Sequence, residues 1–259
     1  MGIATRPCCT IQRRVTCAAL RHGYTHVDTA QGYANEEQVG EGLAASGVAR
    51  EKVFLTTKVR TDQMADGDLQ RSVEDSLRKL RVDQVDLLLL HWPNPLIPLE
   101  GSIRALNEVK RSGMARHIGL SNFTSAKLAE AWHLTKEPFA AEQIEYHPYL
   151  EQTTMLAALR ARDMAIIAYC PIALGKINGD PVIEAIAKAH GRSPAQVTLR
   201  WIVQQGLVAI PKTAKVERLS ENLSVFDFAL SEAEMARMSA LTRPGSRLVN
   251  EPQWVPEWD

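Results

Sequence analysis

Leu69-Gln-Arg-Ser-Val-Glu-Asp-Ser-Leu-Arg-Lys-Leu80, followed four residues later by Val85-Asp-Leu-Leu-Leu-Leu-His-Trp92, decides the fold class of this chain. Leu69, Val73, Leu77 and Leu80 fall at i, i+4, i+8 and i+11, which is one stripe of an α-helix, and Asp66 or Asp68 is available as its N-cap. The second run is continuously apolar, as a parallel strand buried on both faces must be. The alternation recurs along the chain. Ile103, Leu106 and Val109 lead into a strand-like segment at His117–Asn122, and Met155, Leu156 and Leu159 lead into another at Met164–Pro171. Further strand-like segments lie at His26–Ala30, Val53–Val59, Ala140–His147 and Leu207–Thr213. Between Met164–Pro171 and Leu207 two helices fit, Pro181–His190 and, with Ser193 as cap and Pro194 at N1, Ala195–Gln205. Glu232–Leu241 reads as one more amphipathic piece, and Pro252–Asp259 as irregular.

A series of βα units implies a parallel sheet with right-handed crossovers. Closed on itself, that sheet is an α/β fold, a (β/α)8 TIM barrel, which gathers residues from distant strand ends at one rim. Length agrees, because barrels of this kind run to 259 residues as a single domain, so residues 1–259 are expected to form one. With 45% hydrophobic and 23% charged residues the chain can bury a large core. Thirty basic and thirty acidic residues cancel, leaving no general field for nucleic acid or an anionic membrane. The run around Leu87–Leu90 is interrupted by Pro93, Pro95 and Pro98 and does not read as a membrane span. Cys8, Cys9, Cys17 and Cys170 form no C-x-x-C pair, and thiols left free suit a reducing compartment. No secretory apolar region opens the chain, so a cytoplasmic protein is expected.

Four strand ends carry the chemistry. They supply Asp28, Tyr33, Lys58 and His91. Singly, each residue type is more often structural or solvated than catalytic. Together at successive strand ends they are the catalytic candidates at the mouth of a barrel enzyme. A free phenol titrates near 10, and an ammonium about 4 Å away contributes up to roughly 4 kcal/mol at an effective dielectric of 20. Lys58 is therefore expected to ease proton exchange at Tyr33. Gly40-Glu-Gly-Leu-Ala-Ala45 fits a loose dinucleotide fingerprint, but Asn35–Val39 before it reads as helix where the fingerprint needs a strand. Small residues at a close helix contact are the better reading. No H-x-H or H-E-x-x-H spacing occurs among the seven His, which disfavours a metal-dependent barrel hydrolase; no metal is expected.

The stretch Asp28-Thr-Ala-Gln-Gly-Tyr-Ala-Asn-Glu-Glu-Gln-Val-Gly40 resembles the D-T-A-x-x-Y-x-N-E-x-x-V-G signature of the aldo-keto reductases. The resemblance continues in order through Thr57-Lys58, Leu90–Pro93, Gly119–Phe123, Gln143–Tyr149, Ile210–Thr213, Arg218 and Glu221-Asn222. The Pro-Glu-Trp-Asp end is similar to the branch of bacterial 2,5-diketo-D-gluconate and methylglyoxal reductases. The resemblance implies NADPH-dependent reduction of a small aldehyde, ketone or keto sugar by a monomer. Tyr33 would be the proton donor, Asp28 would hold Lys58, His91 would orient the carbonyl, and Trp92 would wall the substrate pocket. Ser121, Asn122 and Gln143 would bind the nicotinamide carboxamide and Tyr169 would stack on its ring, with Cys170 standing where the family has Ser. Lys212, Thr213 and Arg218 would meet the adenosine 2′-phosphate, and Glu221 and Asn222 complete the cofactor set. His147 is expected to support the rim, and Glu145 has no assigned role. Family members begin with a hairpin and a first strand carrying G-[ST]; here Gly2–Arg6 takes that place without the motif. The first strand is thus expected to be short or incomplete, with barrel closure in question. That defect motivates a rival reading, a nucleotide-binding sensor or regulatory protein on the same fold with weak turnover.

Overall fold

In the computed structural model, residues 1–5, 9–213, 215–251 and 253–258 are described, with side chains for all of these except 9–11. Arg6, Pro252, Asp259 and the thiols of Cys8 and Cys9 therefore lie outside the described part. Eight parallel strands run in chain order: β1 (Gly2–Ala4), β2 (His26–Asp28), β3 (Phe54–Val59), β4 (Val85–Leu90), β5 (Ala115–Ser121), β6 (Phe139–Glu145), β7 (Ala165–Tyr169) and β8 (Val208–Ala209). Helices α1 (Cys9–Arg21), α2 (Glu36–Ser46), α3 (Asp68–Leu80), α4 (Leu99–Arg111), α5 (Ser125–Leu134) and α6 (Thr153–Arg160) each follow one strand. After β7 come α7 (Pro181–His190) and α8 (Pro194–Gln204), and after β8 come α9 (Glu217–Leu223) and α10 (Glu232–Ser239). This is the (β/α)8 barrel with a short first strand. Among the described residues no helix is long and apolar enough to cross a membrane.

The Leu87–Leu90 run shows why parallel strands lose their alternation. Leu88 and Leu90 pack outward among the helices, while Leu87 and Leu89 meet Ala141, Ile167 and Ile210 inside the barrel. All four are buried because the two faces are equally dry. Two details correct the helix-start reading. The N-cap of α3 is Gly67, whose N–H donates to Gln70 Oε1 at 2.7 Å, so neither Asp66 nor Asp68 caps that helix. Helices α5 and α9 were not located in the sequence, where Ser125–Leu134 is only weakly striped. Gly40 and Gly42 sit inside α2 with no strand before them: a Cβ on Gly40 would lie 2.6 Å from Lys79 O, and one on Gly42 2.8 Å from Arg13 O. Close helix packing accounts for both.

One extra residue in β6 matters more than its size suggests. Ile118 pairs with Phe139, but Gly119 pairs with Ala141, so Ala140 is a bulge with no partner in β5. A Cβ on Gly119 would stand 2.2 Å from Ala141 O, which restricts that position to glycine.

Closure is thin between the ends of the sheet. β8 is two residues long, and beyond it, among the described residues, one bridge joins Ala4 to Lys212, with Ala4 N donating to Pro211 O at 3.4 Å. The barrel should open first at this seam. Amides of 26–28 and 208–210 are expected to exchange hydrogen faster than those of 85–90, and exchange mass spectrometry giving equal rates would count against a weak seam.

At the floor of the barrel His26 packs edge-on to Phe54, which stacks on His117, and its Nε2 lies 3.0 Å from Thr56 Oγ1. Burial pushes His26 down to about 4 from 6.5, against a partial upward pull from Asp28. The folded chain thus keeps His26 neutral where the unfolded chain would protonate it. Its contribution is whole above about pH 6.5 and is lost as pH falls through about 4, roughly 3 kcal/mol at 1.36 kcal/mol per unit. Urea unfolding of His26→Gln should show a flatter profile across that window than wild type; a profile of the same slope would exclude His26 as the titrating group.

Candidate active site

The register of the sheet brings the candidate residues together. Counting every second residue, Asp28, Lys58, His91, Ser121, Gln143, Glu145 and Tyr169 all face inward at the carboxyl ends of their strands. Asp28 and Lys58 are fully buried. Lys58 Nζ donates to Asp28 Oδ1 at 2.5 Å and to Thr29 O at 2.8 Å, and Gln143 Nε2 donates to Asp28 Oδ2 at 2.7 Å. The Lys58 ammonium lies 5.1 Å from the centroid of the Tyr33 ring, and that ring stands edge-on to His91 at 5.6 Å.

Tyr33 reaches this position through one helical turn, Gln31–Tyr33, that leaves β2 at Ala30. The turn is pinned from α3: Gln31 Nε2 donates to Ser72 O, Ser72 Oγ and Ser76 Oγ at 3.0–3.1 Å, while Gln31 Oε1 accepts from Arg60 N at 2.8 Å. Thr29 Oγ1 donates to Asn35 Oδ1 at 2.8 Å and ties the turn's exit to its start.

A second patch adjoins the first. Ser121 Oγ donates to Gln143 O at 2.9 Å, Asn122 Nδ2 donates to His91 O at 2.9 Å, and the Tyr169 hydroxyl donates to Asn122 Oδ1 at 2.6 Å. Desolvation, helped by the charge of Glu145, raises Tyr169 well above an ordinary phenol, so it stays a donor. The backbone here is strained: Asn122, Cys170, Ala173 and Leu174 have φ of 62°, 50°, 47° and 54°. Left-handed non-glycine residues cluster where function overrides local preference.

Both patches open on one cavity of about 610 Å³. Asp28, Tyr33, His91, Trp92, Ser121, Asn122, Gln143, Tyr169 and Lys212 line it, and Lys58 lies beneath. The remaining candidates do not line it. Thr213 Oγ1 shares hydrogen bonds with the Lys215 backbone, and Arg218 is exposed on α9. Glu221 accepts from Ser193 Oγ at 2.6 Å, and Asn222 is buried beside the Tyr24 hydroxyl, so both hold α9 to its neighbours. Sequence reading missed Arg60, Ile172, Leu174, Val249, Glu251 and Trp254, which also line the cavity. Arg60 directly follows β3 and Leu174 sits in the single turn Ala173–Gly175, while Ile172, Val249, Glu251 and Trp254 belong to no helix or strand, and no local signal places them. His147 is buried, its Nε2 3.1 Å from Glu145 Oε1, and does not line the cavity.

A family model described as the aldo/keto reductase family matches residues 12–243. Morphine 6-dehydrogenase of Pseudomonas putida is 42% identical over 92% of this chain and 85% of its own length. Methylglyoxal reductase DkgB of Escherichia coli O157:H7 is 39% identical, over 93% and 91% respectively. A solved structure named for 2,5-diketo-D-gluconic acid reductase B superposes with a TM-score of 0.97 at 47% identity, covering 100% of this chain and 92% of that one. A mutant of Gox0644 in complex with NADPH gives 0.90 at 34% identity, covering 97% and 92%. With the barrel, the shared motifs and these likenesses in agreement, the chain belongs to the aldo/keto reductase family, and it is an oxidoreductase.

Proposed function

We propose that this chain reduces a small aldehyde, ketone or keto sugar to the alcohol with NADPH, Tyr33 giving the proton. The observation that carries the reading is the placement of the Tyr33 ring between the Lys58 ammonium and the His91 ring on the wall of the cavity. The residues present suit the cofactor. Ser121, Asn122 and Gln143 offer a hydroxyl and two amides on one wall, the half-buried Tyr169 offers a ring, and Lys212 and Arg218 are exposed cations beyond β8. When bound, NADPH supplies the hydride for the carbonyl carbon.

The chain's own groups handle the other half of the reaction. Tyr33 passes its hydroxyl proton to the carbonyl oxygen as charge gathers there. Lys58 stabilises the phenolate left behind, and Asp28 holds the Lys58 ammonium in place beside the ring. His91 presents a ring nitrogen to the carbonyl oxygen and fixes its direction. The wall formed by Trp92, Ile172, Leu174, Val249 and Trp254 is largely apolar, which suits a small carbonyl compound. We place the protein in the cytoplasm as a monomer of one domain. The sensor reading rested on a defective first strand; β1 pairs with β2 at all three of its residues, and Ala4 lines the cavity, so nothing specific favours it. Following NADPH oxidation with methylglyoxal, a diketo sugar acid and an aromatic aldehyde tests the proposal, and inertness towards all three would overturn it.

Cofactor choice is tested separately. Replacing Arg218 with Ala should weaken NADPH binding by about 1.5–3 kcal/mol, the scale of a hydrogen bond to a charged group, and leave NADH nearly unchanged. Quenching of tryptophan fluorescence on titration would measure both; equal losses would show that Arg218 does not read the 2′-phosphate.

A further inference from the structure

The geometry points to Glu145 as a positioning residue that straps the C-terminal segment across the cavity mouth and so governs substrate binding, an inference that rests on the reductase reading of that cavity. Glu145 is wholly buried at the carboxyl end of β6. Leu248 N donates to its Oε1 at 2.7 Å, Val249 N donates to its Oε2 at 3.0 Å, and the Arg247 guanidinium is 4.0 Å away. One buried carboxylate thus takes two consecutive backbone amides from a segment more than a hundred residues further along the chain. Residues 243–251 form no helix or strand, so their backbone donors have no ladder to join. Glu145 supplies acceptors where secondary structure does not.

The strap reaches the cavity from this anchor onward. Val249, Glu251 and Trp254 line the cavity directly. Arg247 stacks 3.5 Å over the Trp258 ring, and Trp258 stands edge-on to Trp92, itself a cavity residue. Glu145 ties down Leu248 and Val249, and the strap they belong to supplies Val249, Glu251 and Trp254 to the cavity lining, so the anchor bears on the wall of the pocket. Its loss should act on the Michaelis constant before it acts on turnover at saturation.

Glu145→Gln keeps the volume but turns one acceptor oxygen into an N–H donor facing another N–H. Hydrogen exchange at Leu248 and Val249 should speed up by roughly ten-fold or more, the change that losing a hydrogen bond to a charged group produces. KM for an aromatic aldehyde should rise by a similar factor, with kcat little changed. Leu248→Pro removes the donor from the strap and leaves the buried carboxylate intact; it should speed exchange at Val249 and Asn250 and raise KM in the same way. It also serves if Glu145→Gln fails to fold. Unchanged exchange in a folded variant would overturn the strap, and faster exchange with unchanged KM, or a fall in kcat alone, would overturn its link to substrate. A wild type inert towards all the carbonyls would instead count against the reductase reading, and the exchange rates would still decide whether Glu145 holds the strap.

Discussion

Tyr33→Phe is expected to lower carbonyl turnover by about 10²–10⁴-fold, the range general-acid catalysis contributes, while NADPH binds almost as before. The asymmetry follows from position. Tyr33 stands on the turn after β2 beside Lys58 and His91, whereas the residues proposed for the nicotinamide, Ser121, Asn122, Gln143 and Tyr169, stand on β5, β6 and β7 or just beyond. The ring is retained in phenylalanine, so the edge contact with His91 and the cation–π contact with Lys58 can persist, and only the hydroxyl is removed. A parallel fall in kcat and kcat/KM is the signature of an interaction made only in the transition state. Turnover kept within a few-fold would remove Tyr33 from the proton-donor role.

The second large effect concerns folding. Asp28→Asn leaves the Lys58 amine buried with Thr29 O and a neutral amide, and Lys58→Met leaves the Asp28 carboxylate buried with the Gln143 amide. Breaking one side of a buried ion pair costs about 3–5 kcal/mol, whereas replacing both partners with neutral groups of similar volume is often neutral. Each single variant should therefore unfold at clearly lower denaturant, and the double variant should recover most of the loss. Activity should not recover with stability, because Lys58 is assigned to the phenolate of Tyr33. A double variant as unstable as the singles would mean that the pair is not the main partner of each charge. Recovery of activity with stability would show that Lys58 serves structure alone.

Asp28, Lys58 and His91 were legible as neighbours because a parallel strand has period two and delivers its last inward residue to a common rim; a titratable group closing an apolar run is visible without any knowledge of the fold. Helix α3 was legible from its stripe. Its cap was not, because the N-cap Gly67 has no side chain and its N–H instead donates to Gln70 Oε1. Glu145 was quoted in the sequence without a role, since its partners Leu248 and Val249 are distant in the chain and lie in a segment with no pattern. The same holds for Val249, Glu251 and Trp254 at the cavity. Glu221 and Asn222 show the opposite difficulty: a motif singles them out for the cofactor, yet in this structure their side chains face Ser193 and Tyr24.

The bulge at Ala140 carries a consequence for how such chains diverge. With side chains alternating at period two, one extra residue turns everything after it to the opposite face. Gln143 and Glu145 point into the barrel, and Glu142 and Ile144 out of it, because Ala140 is present. Deleting that single alanine would exchange the inside of β6 for its outside without altering any residue of the site. An insertion or deletion here is thus not a neutral drift in loop length. In a lineage that lost it, the aligned Gln and Glu would keep their letters and lose their meaning, and aligned identity alone would hide the change.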